Sequence, residues 1–161
     1  MENYGLSVAL FGAALATFLS GIGSAVGLGI AGRSATGVLS EKPERYGSTI
    51  LLVVLPSTQG IYGFVISIMV MVKLNLFGGG TDIGMWTGVE IFAACLPVAI
   101  AGLASGIHQG KTCAGGILMT AKRPEMAFKA GVLYAAMVEF YAVLGFLVSL
   151  LLILVGINIG Q

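Results

Sequence analysis

Long apolar stretches separated by short polar turns dominate the pattern of the 161-residue chain. We predict four helices, at residues 4–35, 46–75, 85–121 and 124–158. Each is longer than the roughly 20 residues that an α-helix needs to cross about 30 Å of hydrocarbon. The pattern therefore predicts an all-α integral membrane protein with four transmembrane helices.

The apolar stretches also repeat. PSTQGIYGFVIS (56–67) aligns with VEFYAVLGFLVS (138–149) at an offset of 82 residues, and SGIGSAVG (20–27) resembles SGIHQGKT (105–112). The second stretch of each pair runs in the same direction as the first, so the repeat is parallel rather than inverted.

This repeat divides the chain into two tandem helical hairpins, at residues 1–80 and 81–161. At the offset of 82, Glu139 in the second hairpin aligns with Ser57 in the first. Only the second hairpin is therefore expected to carry the membrane carboxylate.

Small residues recur every three or four positions along the first and third predicted helices. The third helix has glycines at three successive turns, Gly102, Gly106 and Gly110. The first helix has a longer series: Gly12, Ala16, Ser20, Gly23 and Gly27. Such residues let helix backbones approach closely in lipid. We expect these helices to form the inner wall of a ring of identical subunits; a compact monomeric bundle is the alternative.

Composition agrees with a membrane protein, since 57% of the residues are hydrophobic and only 9% are charged. A soluble domain carries roughly 25% charged residues. No basic patch indicates a nucleic-acid partner. GLGIAG (27–32) has the spacing of a dinucleotide-binding loop, but it lies inside a predicted membrane helix with no strand before it, so we expect no nucleotide site there.

Basic residues predict the orientation. Only Lys73 lies on the side of the second connection. Seven basic residues lie around the first and third connections: Arg33, Lys42, Arg45, Lys111, Lys122, Arg123 and Lys129. The positive-inside rule places the turns 36–46 and 121–124 in the cytoplasm. Both termini and the loop 77–84 of this multi-pass protein of the cell membrane would then lie outside.

Glu139 is the candidate functional residue. It lies 15 residues after Pro124 in a helix that is otherwise apolar, which places it near the middle of the membrane. A charged side chain there costs about 3 kcal/mol on insertion scales. The carboxyl group must therefore stay protonated or ionise only together with a cation, and either way it can carry a cation.

Oxygen-bearing residues of the second and third helices can complete a cation site: Thr58, Gln59, Tyr62 and Gln109. Pro56 cannot donate a backbone hydrogen bond to the carbonyl of Leu52, so a carbonyl in this turn is also expected to be free. Hard oxygen ligands suit a hard cation. The number of oxygens favours Na⁺ as the bound ion, with H⁺ as the alternative.

The two cysteines, Cys95 and Cys113, are expected to be packing residues rather than a disulfide or a metal-binding pair.

Three stretches then identify a family: LPSTQGIYGF (55–64), SGIHQGKTCAGG (105–116) and AAMVEFYAVLGF (135–146). They resemble the 16-kDa proteolipid of V-type rotary ATPases, most closely the bacterial sodium-translocating kind. The resemblance implies a Na⁺ site made by the side chains of Glu139, Gln109, Gln59 and Thr58 with the backbone carbonyl of Leu55. Tyr62 would hydrogen-bond Glu139, and His108, beside Gln109, has no role in this pattern.

The resemblance also implies a function and partners. Identical subunits would form a rotor ring in the lipid, fixed to a central stalk subunit on the cytoplasmic side. A stator subunit would supply an arginine that meets each Glu139 in turn. The chain would then be a non-catalytic, ion-translocating subunit without an organic cofactor, and ATP hydrolysis or synthesis would occur in a soluble sector.

Two other functions remain as alternatives. An H⁺-translocating rotor subunit would have the same architecture. A small four-helix, proton-coupled multidrug exporter would also carry one membrane glutamate, but such exporters have it in their first helix and lack a tandem duplication.

Overall fold

A computed structural model describes residues 4–157, and all four predicted helices are present. Four helices are long and apolar enough to span a membrane: Tyr4–Glu41, Pro43–Lys73, Met85–Lys122 and Pro124–Gly156. We refer to them as the first to fourth spans. The first span continues six residues beyond its predicted end at residue 35, and the predicted end of the fourth span, residue 158, lies outside the described residues.

The second span changes its helical geometry at Pro56. An α-helix from Tyr46 to Val54 is followed by a 3₁₀ turn at Leu55–Ser57, and a second α-helix runs from Thr58 to Lys73. Proline has no backbone N–H and its ring disturbs the preceding turn, so a local change of helix type is expected here. The break lies beside the site described below.

The fourth span contains two π-helical turns, at Ala127–Val132 and Leu152–Gly156, on either side of an α-helix from Leu133 to Leu151. At the second π turn, the ammonium group of Lys73 donates hydrogen bonds to the backbone carbonyls of Ile153 and Leu154. The lysine thus joins the end of the second span to the end of the fourth.

The loop between the second and third spans reverses the chain with residues of positive φ. Asn75 has φ 49°, and Gly79 and Gly80 have φ 114° and 80°. The backbone N–H of Gly80 donates to the carbonyl of Asn75 at 2.8 Å. A left-handed conformation is inexpensive for glycine and tolerated by asparagine, which explains these residue types in the turn.

The first and third spans pack backbone against backbone along their glycines. A Cβ atom on Gly106 would lie 2.6 Å from the carbonyl carbon of Gly23, and one on Gly110 would overlap the backbone of Gly27. Likewise, a Cβ on Gly102 would meet the side chain of Ser20. The predicted small-residue seams are therefore the contact between these two spans.

Serine side chains satisfy polar backbone groups across the span contacts. Ser20 donates to the carbonyl of Val98 at 3.0 Å, and Ser67 donates to the carbonyl of Ala13 at 2.5 Å. The backbone N–H of Val98 donates to the Ser149 hydroxyl at 3.1 Å. In a membrane interior, which offers no water, such pairs stabilise the helix contacts.

Two glycines that lie 82 residues apart make the same kind of contact. Gly63 of the second span packs on the backbone carbonyl of Ala16, and Gly145 of the fourth span packs on that of Pro97. The two contacts pair first-span residues with third-span residues 81 positions later. This differs by about one helical turn from the pairing of 20–27 with 105–112 read from the sequence.

Two hydrophobic clusters fill the space between the spans, one toward each end. The cluster near the 77–84 loop includes Ala13, Ile66, Val70, Leu74, Ile91 and Ile153. The cluster near the 36–46 and 121–124 turns includes Ala31, Ala35, Leu52, Cys113, Ile117 and Ala135. A layer of buried polar side chains lies between them.

We expect Gly106→Leu to destabilise the protein, because a side chain there must displace the backbone of the first span. Overpacking of a dense core costs about 1–3 kcal/mol, and contact with backbone belongs at the upper end of that range. The measurement is thermal unfolding of the detergent-solubilised protein by circular dichroism.

Gly47→Leu is the control, because a Cβ at this exposed helical glycine meets nothing within 4 Å. Equal unfolding temperatures for the two variants would contradict the close approach of the first and third spans.

Candidate ion-binding site

Glu139 points its carboxylate toward the other spans, although its chain neighbours Phe140 and Tyr141 are 60% and 69% exposed. Its Oε1 atom accepts a hydrogen bond from the Tyr62 hydroxyl at 2.8 Å, and its Oε2 atom accepts one from Gln109 Nε2 at 3.3 Å. Both carboxylate oxygens are thus held by donors from the second and third spans.

Gln109 connects the carboxylate to a second amide. Its side chain is fully buried, and its Nε2 atom also donates to the backbone carbonyl of Ala135 at 3.0 Å. Its Oε1 atom accepts a hydrogen bond from Gln59 Nε2 at 2.7 Å. The result is a continuous polar chain from Gln59 through Gln109 to Glu139.

The hydrogen-bond network fixes the orientation of both amides. Gln109 must point its NH₂ group at Ala135, because the backbone carbonyl there can only accept, so its oxygen faces Gln59. Gln59 must then donate, which leaves its own oxygen on the opposite side of the amide.

That oxygen, Gln59 Oε1, is buried and has no hydrogen-bond partner in the protein. A buried carbonyl oxygen without a partner costs about 1–3 kcal/mol. A native structure keeps such a group when something else uses it. The oxygen of Gln59 is therefore available to a cation.

Thr58 and Leu55 both lie at the break in the second span. The Thr58 hydroxyl lies 3.2 Å from the backbone carbonyl of Leu55, to which it donates. Since Leu55 belongs to the 3₁₀ turn formed at Pro56, its carbonyl accepts from the Thr58 backbone N–H instead of continuing the α-helical pattern. The Leu55 carbonyl thus accepts hydrogen bonds from both the hydroxyl and the backbone N–H of Thr58.

The chemistry of this cluster is that of a hard-cation site. It contains one carboxylate and several neutral oxygens, and residues 4–157 hold no group of three or more His, Cys, Asp or Glu side chains that could bind a transition metal. Cys95 and Cys113 are both buried and free, as expected for packing residues. The arrangement can hold either a proton on Glu139 or a small cation among its oxygens.

Ser57 and His108 were also singled out in the sequence. Ser57, aligned with Glu139 in the repeat, donates its hydroxyl to the carbonyl of Val54 at 2.6 Å. His108 is exposed, although Gln109 beside it is buried.

Two contacts near the site were not foreseen from the sequence. The acceptor at Ala135 is a backbone carbonyl, which no residue type marks. Ser24 accepts from the Gly60 N–H at 2.8 Å, but in the sequence it looks like any small helix residue.

The chain is similar to known proteins over nearly its whole length. The K subunit of the V-type sodium ATPase of Enterococcus hirae is 46% identical over 95% of this chain and 94% of its own length. The K subunit of the A-type ATP synthase of Methanocaldococcus jannaschii is 36% identical over 93% of this chain, which spans 63% of that relative's length. The 16 kDa proteolipid of the V-type proton ATPase of Homo sapiens is 28% identical over 93% of each chain.

The family model for the C subunit of ATP synthase matches twice, at residues 11–70 and again at 92–152. The first match contains Thr58, Gln59 and Tyr62, and the second contains Gln109 and Glu139. These findings confirm the resemblance inferred from the sequence. Both halves of the polar layer thus lie in segments of one family, and the chain belongs to the family of the ATP synthase C subunit.

Proposed function

We propose that this chain is the rotor-ring subunit of a V-type ATPase and carries Na⁺ across the membrane on Glu139. The observation that carries this proposal is the buried, unpartnered oxygen of Gln59 at the end of the hydrogen-bonded chain to Glu139. A carboxylate that bound only a proton would not need that oxygen. The similarity to a V-type sodium ATPase subunit supports the choice of ion.

The proposed ligands are the side-chain oxygens of four residues and one backbone carbonyl: Glu139, Gln109, Gln59, Thr58 and Leu55. Tyr62 is a positioning residue, since its hydroxyl holds Glu139 Oε1 at 2.8 Å and leaves Oε2 toward the amides. Pro56 would support the site because it lies in the 3₁₀ turn in which the Leu55 carbonyl accepts the hydrogen bond of Thr58.

An H⁺-translocating rotor subunit is the second candidate, because a relative of lower identity is a V-type proton ATPase proteolipid. In that case Glu139 would carry the proton and the amides would only hydrogen-bond it. The multidrug exporter is no longer an alternative, because the chain belongs to a different family.

The proposed assembly is a ring of identical chains in membrane lipid. Each chain contributes two hairpins, 1–80 and 81–161, a division that the double family match supports. The 36–46 and 121–124 turns face the cytoplasm and a central stalk subunit, and the termini and the 77–84 loop face outward. The chain itself is not catalytic and needs no organic cofactor, since a separate soluble sector hydrolyses or makes ATP.

Charge explains how the ring moves its cargo. A Na⁺ ion among the oxygens neutralises Glu139, so the loaded site can pass through lipid without exposing a net charge. At the stator, an arginine of that subunit would pair with the carboxylate and release the ion into an aqueous half-channel. Reloading on the other side restores the neutral site, and rotation makes the exchange directional.

Na⁺ should slow the reaction of Glu139 with a hydrophobic carbodiimide, because the reagent needs a protonated carboxyl group and a bound cation excludes the proton. We expect clear protection at millimolar Na⁺ and none with equal K⁺. Gln59→Leu should abolish the protection while Glu139 still labels, because the variant lacks the free oxygen. The measurement is the labelled fraction of the intact protein by mass spectrometry across pH.

Glu139→Gln should not label, which verifies the reacting residue. If Na⁺ leaves labelling of the unmodified protein unchanged at every pH, the ion assignment is wrong and the proton rotor takes its place.

Tyr62→Phe should weaken Na⁺ binding without preventing it, because it removes one hydrogen bond to the carboxylate but no proposed ligand. Hydrogen bonds to charged groups contribute about 1.5–3 kcal/mol. At about 1.4 kcal/mol per tenfold change, we expect the Na⁺ concentration that gives half-protection to rise roughly 10- to 100-fold.

Tyr134→Phe is the matched control, since Tyr134 is 56% exposed and lies on the same span as the carboxylate, more than one turn before it. A shift of equal size in the control, or none in Tyr62→Phe, would refute the positioning role.

A further inference from the structure

A cavity of about 840 Å³ opens between the first and third spans, at the end of the molecule that has the 36–46 and 121–124 turns. Residues 33–41 and 115–123 form most of its wall, and none of the proposed Na⁺ ligands belongs to it. Its volume falls in the range of sites that hold small organic molecules, about 300–1,000 Å³. The cavity is therefore a second candidate binding site, separate from the polar layer.

Positive charge dominates the polar part of the wall. Three basic residues, Arg33, Lys122 and Arg123, face one acidic residue, Glu41. Within the described part of the chain, none of the three basic side chains has an ion-pair partner. The wall thus has the charge that attracts an anion, and the protein itself neutralises little of it.

Arg33 lies deepest in the cavity. It comes eight residues before Glu41, at which the first span ends, and this separation corresponds to about 12 Å along an α-helix. The Arg33 side chain is exposed. An exposed charge inside a span must reach the membrane surface or meet an opposite charge. A phosphate group in the cavity would supply that charge.

The rest of the wall is largely apolar and includes four larger side chains: Val38, Leu118, Met119 and Met126. Gly37 and Gly115 widen the cavity, because a Cβ at either position would meet nothing within 4 Å. A soluble anion gains nothing from apolar surface, whereas an acyl chain is stabilised by contact with it. The combination of cations with apolar surface therefore favours a lipid over a free anion.

We propose that this cavity binds an anionic phospholipid of the surrounding membrane. Its phosphate group would lie among Arg33, Lys122 and Arg123, and one of its acyl chains would lie along Val38 and Leu118. Basic pockets between membrane helices hold lipid headgroups in this way. The ligand is present in the same membrane that the four spans cross, so the site needs no soluble partner.

The bound lipid would join the first span to the third at this end of the molecule. A link of this kind already exists nearby, where the ammonium group of Lys42 donates to the backbone carbonyl of Ala121. A ligand that binds only the folded protein also stabilises it. An anionic phospholipid should therefore raise the unfolding temperature more than a zwitterionic lipid with the same acyl chains.

Native mass spectrometry of the detergent-solubilised protein tests the site. The probes are phosphatidylglycerol and phosphatidylcholine with identical acyl chains, and the measurement is the number of lipids retained per chain at each concentration. We expect phosphatidylglycerol to be retained at lower concentration. Arg33→Gln and Lys122→Gln should each weaken its retention about fivefold, the contribution of one basic residue near a membrane surface.

Two controls separate the cavity from general attraction of charge. Lys129→Gln removes an exposed basic residue near the same end of the molecule, and this residue does not line the cavity. Gly115→Trp keeps every charge but fills the cavity, so it should also weaken retention of phosphatidylglycerol. Gly47→Trp should not, because Gly47 has equally open space and lies outside the cavity wall.

Three results would overturn the proposal. Equal retention of the two lipids, or equal weakening by Lys129→Gln and Arg33→Gln, would show that charge in the cavity does not select the ligand. Displacement of phosphatidylglycerol by an equal concentration of inorganic phosphate would show that the site binds a soluble anion. Loss of the preference in the complete ATPase complex would show that a partner protein covers the cavity.

The carbodiimide reaction of Glu139 distinguishes this proposal from the proposed function. Arg33→Gln removes no proposed Na⁺ ligand, so Na⁺ should protect Glu139 in this variant as in the unmodified protein. Selective retention of phosphatidylglycerol without any protection by Na⁺ would overturn the ion assignment and leave the lipid site standing. Protection by Na⁺ without selective retention would overturn the lipid site alone.

Discussion

A carboxyl group in the middle of a membrane must not face hydrocarbon as an anion, and the polar layer of this protein follows from that constraint. Glu139 lies on the fourth span, whose most apolar window is only 17% buried, yet both of its oxygens are held by donors from other spans. The layer is narrow because hydrophobic clusters close it off on either side. One oxygen, on Gln59, remains unused by the protein. The site therefore surrounds the carboxylate with donors and leaves one amide oxygen unpaired, which is what the proposed cation carrier requires.

Close helix packing makes this environment possible. Gln59 and Gln109 come from the second and third spans, and their 2.7 Å hydrogen bond requires those spans to stay in register with the first. The glycine contacts of the first and third spans supply that register, since backbone against backbone leaves little freedom to slide. Substitutions in the glycine seam and in the amides should consequently affect each other.

The sequence predicted the parts of this structure that depend on side-chain type. Four apolar segments with a lone Glu139 suffice to predict the spans, and the oxygen-bearing residues near it suffice to suggest Thr58, Gln59, Tyr62 and Gln109 as neighbours. Backbone features were less accessible. The Leu55 carbonyl was proposed as a ligand only from the family resemblance, because the presence of Pro56 does not indicate which backbone carbonyl of the turn is left free. The π turns and the carbonyls bound by Lys73 depend on how spans end against each other, and no residue type marks them. The one-turn difference between the contact offset and the pairing read from the sequence has a similar origin, because sequences rich in glycine and alanine match in several registers.

The proposed division into two hairpins explains why the chain has one candidate site rather than two. Both hairpins keep the glycine that packs on a neighbouring carbonyl, Gly63 and Gly145, because a larger residue there would separate the helices. The polar residues are under a different constraint, because a cation site needs the carboxylate and the amides at the same contact between helices. Inside the chain, the connections between hairpins hold these groups together. The aligned position of the first half has Ser57 where the second half has Glu139, so it offers no carboxylate. Only the second half therefore supplies a negative charge that a bound cation can neutralise.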